Sequence, residues 1–406
     1  MLSLNHPHIL QDIRRLGYGL MPLLKTDGSG VLVLKANKEA ILTARTNNAM
    51  KIYLLKDYAG PASHLGLMTV FFEDAQEPMS LRSLLFANDA FLEEATAVLS
   101  RPAFELYFFD EHDRELMGVR VTHDDASRFR DEIARASFAP FDQVTFQDMA
   151  DRLQTRFSIR DAADDAAAFT LQLGERLYPD DLVLIDGRPE AYRFQNAEGR
   201  TAISQLVRLD PGPAQERDIA VMLGRAFPAE SIYLNPFRAD TGKELTDVLV
   251  VTDQVILFIE AKDSPNTVAS LNRSIDRKRL AIRNHIAKAT QQLSGGLSYA
   301  RSQDGVTIRS ADGPLTMPLA GRQLLGLVVV REMFDDDHVA CSEPVLALKD
   351  ALQLPVILTD YPGLHIISLN LRTPARFINA LHELFDVAVE HGEFPKSAWN
   401  GPPLED

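Results

Sequence analysis

Two short apolar runs joined by a polar turn, in the segment KELTDVLVVTDQVILFIEAKDS, constrain the fold of this chain more than any other feature. Runs of this kind on either side of a turn are typical of a β-hairpin. A turn centred on Asp253 and Gln254 sets the register of the pair. Facing positions in an antiparallel pair have residue numbers with a constant sum, so we expect Asp247 to lie opposite Glu260.

Three charged residues mark the polar end of this hairpin. Lys262 follows Glu260 by two positions and therefore shares its face of the strand, which is also the face of Asp247. Directly opposed side chains have Cβ atoms about 4.5 to 5.5 Å apart. Two carboxylates at that spacing are unfavourable unless a cation binds between them. The pattern therefore indicates a site for a hard divalent ion, Mg²⁺ or Mn²⁺.

Phosphodiester hydrolysis is the chemistry that most needs such a site. A carboxylate-bound Mg²⁺ polarises a phosphoryl oxygen and lowers the pKa of a bound water. Lys262 then has two roles open to it. It orients the attacking water, or it stabilises the charge that develops at phosphorus. The sequence does not separate these two roles.

The combination of Asp247, Glu260 and Lys262 resembles the PD-(D/E)XK nuclease superfamily, and is most like its NERD and Mrr-type restriction endonuclease-like branches. The resemblance extends over about residues 207–394. It implies a mixed central sheet flanked by helices, with Asp247 and Glu260 as metal ligands. It also implies a Mg²⁺-dependent deoxyribonuclease, in a setting of bacterial restriction or antiphage defence.

The resemblance further implies a glutamate on the preceding helix, and Glu216 in QERDIAVMLGRAF occupies that place. Physically, Glu216 extends the apolar stripe of this helix by one turn towards its N-terminus, so it should point at the sheet. We expect it to assist metal binding, directly or through water. The alternative is a first-turn glutamate that only complements the helix dipole.

A glutamine on the helix after the lysine strand is also implied, and both Gln291 and Gln292 are available. At about 100° per residue, Gln291 lies on the far side of the helix from its apolar stripe, whereas Gln292 flanks that stripe. We therefore choose Gln292 as the substrate-orienting residue. Three cations of the same helix are expected to contact phosphates: Arg279, Arg283 and Lys288. The alternative for such a charge run is a solvated helix face.

The overall composition restricts how nucleic acid can bind. The net charge of −15 opposes general attraction to a polyanion, so binding must be local. Residues 271–301 provide a local exception, with seven basic residues and one acid. The single cysteine, Cys341, excludes an internal disulfide and a thiolate zinc cage. With no apolar run of membrane-spanning length, we expect a cytoplasmic protein with no membrane partner.

The length of 406 residues predicts two or three domains of mixed α/β type. We expect an α+β region at 1–140, a helical stretch and strand meander at 141–209 that either joins this region or stands apart, a nuclease-like α/β domain at 210–394 and a tail at 395–406.

In the first region we predict strands at 31–35, 40–44, 52–55 and 67–72, a helix over 80–99, and a hairpin formed by FELYFF and ELMGVRV. Helices are predicted over 145–156 and 161–177. In the last domain we predict a helix at 214–227, a hairpin at 245–262, a helix at 273–293, strands at 324–330, 355–359 and 364–370, and a helix at 374–390.

Two function classes remain open at this point. The first is a nuclease that cuts DNA in preference to RNA, with residues 1–209 sensing or regulating. The second is a nuclease fold without catalysis that binds nucleic acid or a protein partner. A homo-oligomer and a regulatory protein partner are both compatible with the sequence. The acidic run Asp335-Asp336-Asp337-His338 has a metal-like composition, but without helix or strand context we interpret it as a solvent loop.

Overall fold

The computed structural model describes residues 1–15, 18–57, 64–72, 78–86, 90–135, 168–179, 182, 184–186, 194–195, 202–204, 206, 212–263, 273–310, 312–334 and 336–395. The chain divides into two compact units. Unit 1 comprises Met1–Leu184, Ser204–Val207 and Asn266–Asn272, and unit 2 comprises Ile185–Ile203, Arg208–Pro265 and Arg273–Asp406. Within the described ranges, no helix has the length and apolar character needed to cross a membrane.

Unit 1 is built on an eight-stranded mixed sheet. Its strands are β1 (Gly19–Leu24), β2 (Gly30–Lys35), β3 (Ala49–Asp57), β4 (His64–Phe72), β5 (Pro78–Phe86), β6 (Ala103–Phe109), β7 (Glu115–Thr122) and β8 (Phe169–Arg176), in the order β1-β2-β6-β7-β8-β3-β4-β5. Its helices are α1 (Leu2–Asn5), α2 (Leu10–Arg15), α3 (Lys38–Asn47), α4 (Ala90–Leu99) and α5 (Ala126–Ala134). Two short strands that lie mostly in unit 2, β9 (Leu184–Asp186) and β10 (Ala202–Ser204), pair with each other.

Unit 1 confirms some of the sequence predictions and overturns others. The strands at 31–35, 52–55 and 67–72 and the β6–β7 hairpin are confirmed. The stretch 40–44 is helical, because Asn37 caps α3 by accepting a hydrogen bond from the Ala40 backbone N–H. Of the expected helix over 80–99, Ala90–Leu99 is helical, residues 80–86 belong to β5, and residues 87–89 lie outside the described ranges.

The sequence left open whether residues 141–209 join the first region. β8, which lies in this stretch, pairs with both β7 and β3 inside the first sheet, so this part of it does join. β8 also replaces the last part of the helix expected over 161–177. The helix expected at 145–156 and most of the meander fall outside the described residues, as does the tail after residue 395.

Unit 2 contains a five-stranded mixed sheet that carries the candidate residues. Its strands are β11 (Ile232–Leu234), β12 (Val248–Val251), β13 (Val255–Lys262), β16 (Gln323–Val330) and β17 (Val356–Asp360), in the order β11-β12-β13-β16-β17. The first two pairings are antiparallel and the last two are parallel. A separate hairpin is formed by β14 (Gly305–Ser310) and β15 (Gly313–Pro318). This is a mixed α/β unit, as the sequence predicts.

The described residues of unit 2 also form the α-helices α6 (Gly212–Leu223), α7 (Ile275–Ser302), α8 (His338–Leu352), α9 (Tyr361–Asn370) and α10 (Pro374–His391). The predicted apolar stripe of α6 is buried. The strand expected over 364–370 is wrong, because this apolar segment is helix α9. Asp360 caps α9 by accepting a hydrogen bond from the Gly363 backbone N–H, and Pro362 occupies the first turn.

Helix α7 lies close against the sheet because small residues stand at the contact. A Cβ on Gly296 would lie 3.0 Å from the ring of Phe258 in β13, and a Cβ on Gly326 of β16 would lie 2.8 Å from Leu293 of α7. Phe258 therefore faces α7. Side chains two positions apart share a face of a strand, so Glu260 lies on the α7 side of the sheet too.

Candidate functional site

The register of the central hairpin is the one that the sequence predicts. Val248 pairs with Ile259, and the turn closes with a 2.9 Å hydrogen bond from the Thr252 backbone N–H to the Val255 carbonyl. The same register continued by one residue places Asp247 opposite Glu260. Asp247 immediately precedes β12, and both carboxylates are buried.

Lys262 provides the positive charge between the two acids. Its Nζ lies 3.0 Å from Asp247 Oδ2 and 3.3 Å from Glu260 Oε2, and it donates to the Ala261 carbonyl at 2.8 Å. The same Asp247 oxygen accepts a 2.7 Å hydrogen bond from the Ala261 backbone N–H. The expected crowding of the two carboxylates is therefore relieved inside the protein by the lysine of the same motif.

Burial and mutual repulsion perturb the protonation of this group. Burial raises the pKa of Glu260 to about 8, and the charge of Asp247 adds to this effect, whereas Lys262 opposes it. Burial lowers the pKa of Lys262, but the charges of Asp247 and Glu260 outweigh burial and the net shift is upward. Near neutral pH, Lys262 is therefore charged while Glu260 is close to its titration point.

Glu216 joins the same group from helix α6. Burial raises its pKa, and Asp247 is the next largest cause. Its Oε2 accepts a 3.0 Å hydrogen bond from Asn235 Nδ2. The alternative of a first-turn glutamate does not hold, because α6 begins at Gly212 and Glu216 lies in the second turn. The helix dipole therefore does not account for an acid at this position.

Glu244 is a fourth acid in this electrostatic group. Burial raises its pKa, the charge of Asp247 raises it further and the charge of Lys262 lowers it, although much of the side chain remains accessible. The four acids outnumber the single lysine. Glu244 was missed by sequence reasoning, since nothing in the sequence distinguishes an acid four residues before a strand from an ordinary surface residue.

Gln292, the predicted glutamine, lies on α7, and its level along the sheet follows from the packing of α7 on β13. The ring of Phe258 packs against Gly296 of α7. Each residue advances about 3.3 Å along a strand such as β13, whereas each residue advances about 1.5 Å along a helix. Glu260 is therefore level with the turn that contains Gln292, and Lys262 with the turn that contains Lys288. Both α7 side chains are exposed.

His285, one turn before Lys288 on α7, is half-buried beside the lysine end of the group. Burial lowers its pKa, and the charges of Lys262 and Lys288 lower it further, whereas Asp263 raises it. These interactions independently place this turn of α7 near the end of β13.

The three cations proposed for phosphate contact have different surroundings. Arg279 Nη2 lies 2.7 Å from Asp336 Oδ2, and Arg283 forms a two-pronged ion pair with Asp337. Lys288 has no hydrogen bond or ion pair within the described ranges. Of the three, only Lys288 offers an unneutralised charge to a phosphate.

Asp337 and His338 of the acidic run do not lie in the solvent loop that the sequence suggested, whereas Asp336 is exposed. Asp337 is buried, precedes α8 and neutralises Arg283, and it also accepts a hydrogen bond from the Cys341 thiol. His338 is buried and its Nδ1 lies 2.7 Å from the Phe394 carbonyl. These contacts depend on distant residues, which is why the local sequence does not reveal them. Asp335 lies outside the described residues.

Asn235 is the second residue that sequence reasoning missed. Its backbone N–H donates to the Asp247 carbonyl at 2.8 Å, and its φ of 46° lies in the left-handed region. The dipeptide Asn235-Pro236 was a usable signal, because it favours a turn and asparagine tolerates positive φ.

The donor set fits a hard divalent cation. The group offers carboxylate oxygens and the amide of Asn235, with no thiolate, and oxygen ligands are those that Mg²⁺ and Mn²⁺ prefer. Asp247, Glu260 and Glu216 are the residues that could hold the ion. No protein-family model matches this chain, and no curated protein matches it significantly in sequence.

Proposed function

We propose that unit 2 is a metal-dependent nuclease domain of PD-(D/E)XK type, with a restriction-endonuclease-like core, which hydrolyses phosphodiester bonds in DNA in preference to RNA. The observation that carries the proposal is the position of the Lys262 ammonium, within 3.3 Å of both Asp247 and Glu260. Metal-assisted phosphodiester hydrolysis uses a cation held by carboxylates beside a group that orients water or stabilises charge at phosphorus.

Each residue has a role that follows from its contacts. Asp247 and Glu260 hold Mg²⁺ or Mn²⁺, with Glu216 assisting from α6. When bound, the ion polarises a phosphoryl oxygen and lowers the pKa of a coordinated water. Once its two acids face a divalent ion, Lys262 is released to orient the attacking water or to stabilise charge at phosphorus.

Helix α7 supplies the substrate contacts in this proposal. Gln292 orients the scissile phosphate from the level of Glu260, and Lys288 binds a backbone phosphate at the level of Lys262. Arg279 and Arg283 contribute only where a phosphate displaces Asp336 or Asp337. The proposed setting is bacterial restriction or antiphage defence, with unit 1 sensing or regulating.

A specific observation favours a second candidate, a nuclease fold that binds without cutting. The acid pair is already neutralised by Lys262, and two of the three predicted phosphate cations are paired with acids. An internally satisfied site of this kind is also what a binding module would retain. The two candidates differ in whether the carboxylates take up a divalent ion.

One experiment tests the proposal. The full chain is incubated with plasmid, linear duplex, single-stranded DNA and RNA, with Mg²⁺, with Mn²⁺ and with chelator. The variants are Asp247→Asn and Lys262→Met. Asp253→Asn, an exposed acid in the turn of the same hairpin, and Lys243→Met, an exposed lysine of the same unit, are matched controls.

We expect metal-dependent cleavage by the wild-type chain and both controls, and none by the two site variants. Cleavage that persists in both Asp247→Asn and Lys262→Met would sink the assignment. If no substrate is cut but Mn²⁺ binds in an Asp247-dependent way, the binding module becomes the better description.

A further inference from the structure

Asn235 carries a buried polar atom that is left without a partner beside the carboxylates. Its Nδ2 donates to Glu216 Oε2 at 3.0 Å. Its Oδ1 is buried and has no hydrogen-bond partner among the described residues. Buried acceptors without a partner are uncommon in folded proteins, and one at a polar site commonly marks a water molecule or an ion.

The position of Asn235 links it to the acids through the backbone. Leu234 pairs with Val248, so Asn235 stands next along that register, beside Asp247, and its backbone N–H donates to the Asp247 carbonyl. Three adjacent chain segments thus bring Asn235, Asp247 and Glu260 into one row across the end of the sheet. Helix α6 adds Glu216 to the Asn235 end of this row.

The amide orientation determines which atom is left over. Nδ2 donates to Glu216, so the Asn235 amide presents its oxygen elsewhere, and an amide oxygen only accepts hydrogen bonds. Lys262 already donates to Asp247, Glu260 and the Ala261 carbonyl. Among the described residues no proton donor reaches Oδ1, which leaves a water or a ligand to supply one. Mg²⁺ keeps several of its waters when carboxylates bind it, and those waters are strong donors.

We propose that Asn235 is a positioning residue of the metal site, in which Nδ2 holds Glu216 in place and Oδ1 accepts a hydrogen bond from a water molecule bound to the divalent ion. This inference rests on the proposed function of the same carboxylates. It adds a neutral residue that orders the water shell of the ion, outside the acid and lysine motif.

The backbone of Asn235 permits a clean test. Glycine adopts positive φ without strain, so Asn235→Gly removes the amide while keeping the turn. Asn235→Asp keeps an oxygen in place of Oδ1 but removes the donor to Glu216. Asp304, with a φ of 48°, is a left-handed residue elsewhere in unit 2, and Asp304→Gly is the matched control.

Mn²⁺ binding to the full chain is measured by calorimetry, and the water bound to Mn²⁺ by water-proton relaxation. We expect Asn235→Gly to weaken Mn²⁺ binding by about tenfold to a hundredfold and to speed exchange of the bound water. Asn235→Asp should lose less affinity than Asn235→Gly, and Asp304→Gly should match the wild type.

The inference is overturned if Asn235→Gly binds Mn²⁺ and exchanges its bound water as the wild type does. It is also overturned if Asn235→Gly and Asn235→Asp lose Mn²⁺ affinity equally, because the loss would then come from the Nδ2 contact alone. Failure of the proposed function gives a different result. In that case the wild-type chain shows no Mn²⁺ binding that Asp247→Asn removes.

Discussion

The ammonium of Lys262 lies 3.0 Å from Asp247 Oδ2, so an ion pair links the end of β13 with the residue that precedes β12 at the candidate site. The lysine is therefore the internal counter-ion of the acids as well as a candidate catalytic group. A divalent ion and Lys262 compete for the same oxygens, and this competition makes the site testable without a known substrate.

Replacing Lys262 with methionine should separate metal binding from catalysis. Lys262→Met removes the charge that competes for Asp247 and Glu260, so Mn²⁺ should bind more tightly, on the order of tenfold. Cleavage should fall by at least about a hundredfold, because the group that acts on water or phosphorus is gone. Calorimetry and plasmid cleavage measure the two effects. Weaker Mn²⁺ binding in this variant would contradict the competition.

Glu260 should make stability depend on pH when divalent ions are chelated. Its folded pKa of about 8 lies above the ordinary 4.5, so in that interval the folded protein keeps a proton that the unfolded chain has released. The stabilisation is complete below pH 4.5 and is lost as pH rises through 8. Urea unfolding at several pH values should show this decline in the wild type and a flatter profile in Glu260→Gln. Asp253→Asn is the control, and equal slopes in the wild type and Glu260→Gln argue against the raised pKa.

The two obvious substitutions of Asp247 should differ in stability. Asparagine still offers an oxygen to the Ala261 backbone N–H, whereas alanine leaves that buried donor without an acceptor. Asp247→Ala should therefore lower the free energy of unfolding by about 1–3 kcal/mol more than Asp247→Asn. Chemical denaturation in chelator measures the difference. Equal stabilities would mean that the hydrogen bond to Ala261 contributes nothing.

Alanine substitution of two cations of α7 should affect different properties: protein stability for Arg283 and DNA binding for Lys288. Arg283→Ala leaves the buried Asp337 carboxylate without its guanidinium, so it should lower the stability of unit 2, by an amount that solvent around Arg283 reduces. Lys288→Ala should leave stability unchanged and lower the salt slope of DNA binding by about 1. Fluorescence anisotropy at several salt concentrations tests this. The reverse pattern would assign phosphate binding to Arg283.

Adjacent glutamines of α7 provide a matched pair. Gln291 and Gln292 are both exposed, so replacing either with alanine should change stability little. Gln292 flanks the buried stripe of α7, whereas Gln291 lies on the far side of the helix. By the spacing along β13 and α7, the turn that contains Gln292 is level with Glu260. Gln292→Ala should therefore reduce kcat/KM, by about tenfold or more, while Gln291→Ala should leave it unchanged. An equal effect of both substitutions would remove the proposed substrate contact.

Several errors in the sequence predictions share one cause. Residues 364–370 form helix α9 and residues 40–44 lie in helix α3, although both runs read as strands. The hydrophobic pattern of a short apolar run that is buried on all sides has no distinct helical or strand period. Capping residues then decide whether the run forms a helix or a strand. Asp360 and Asn37 perform that capping through hydrogen bonds that form only when the backbone is already folded.

The sequence by itself determined the hairpin register, because strand pairing across a short turn is local arithmetic, and with it the meeting of Asp247, Glu260 and Lys262. It also determined the buried stripe of α6, since helical periodicity is local too. Only the tertiary structure decided that Lys262 bridges both acids, that Asp336 and Asp337 engage the arginines of α7, and that Asn235 and Glu244 belong to the group. Those contacts join residues that are distant in sequence or positioned by unusual backbone angles, and no local pattern encodes such distances.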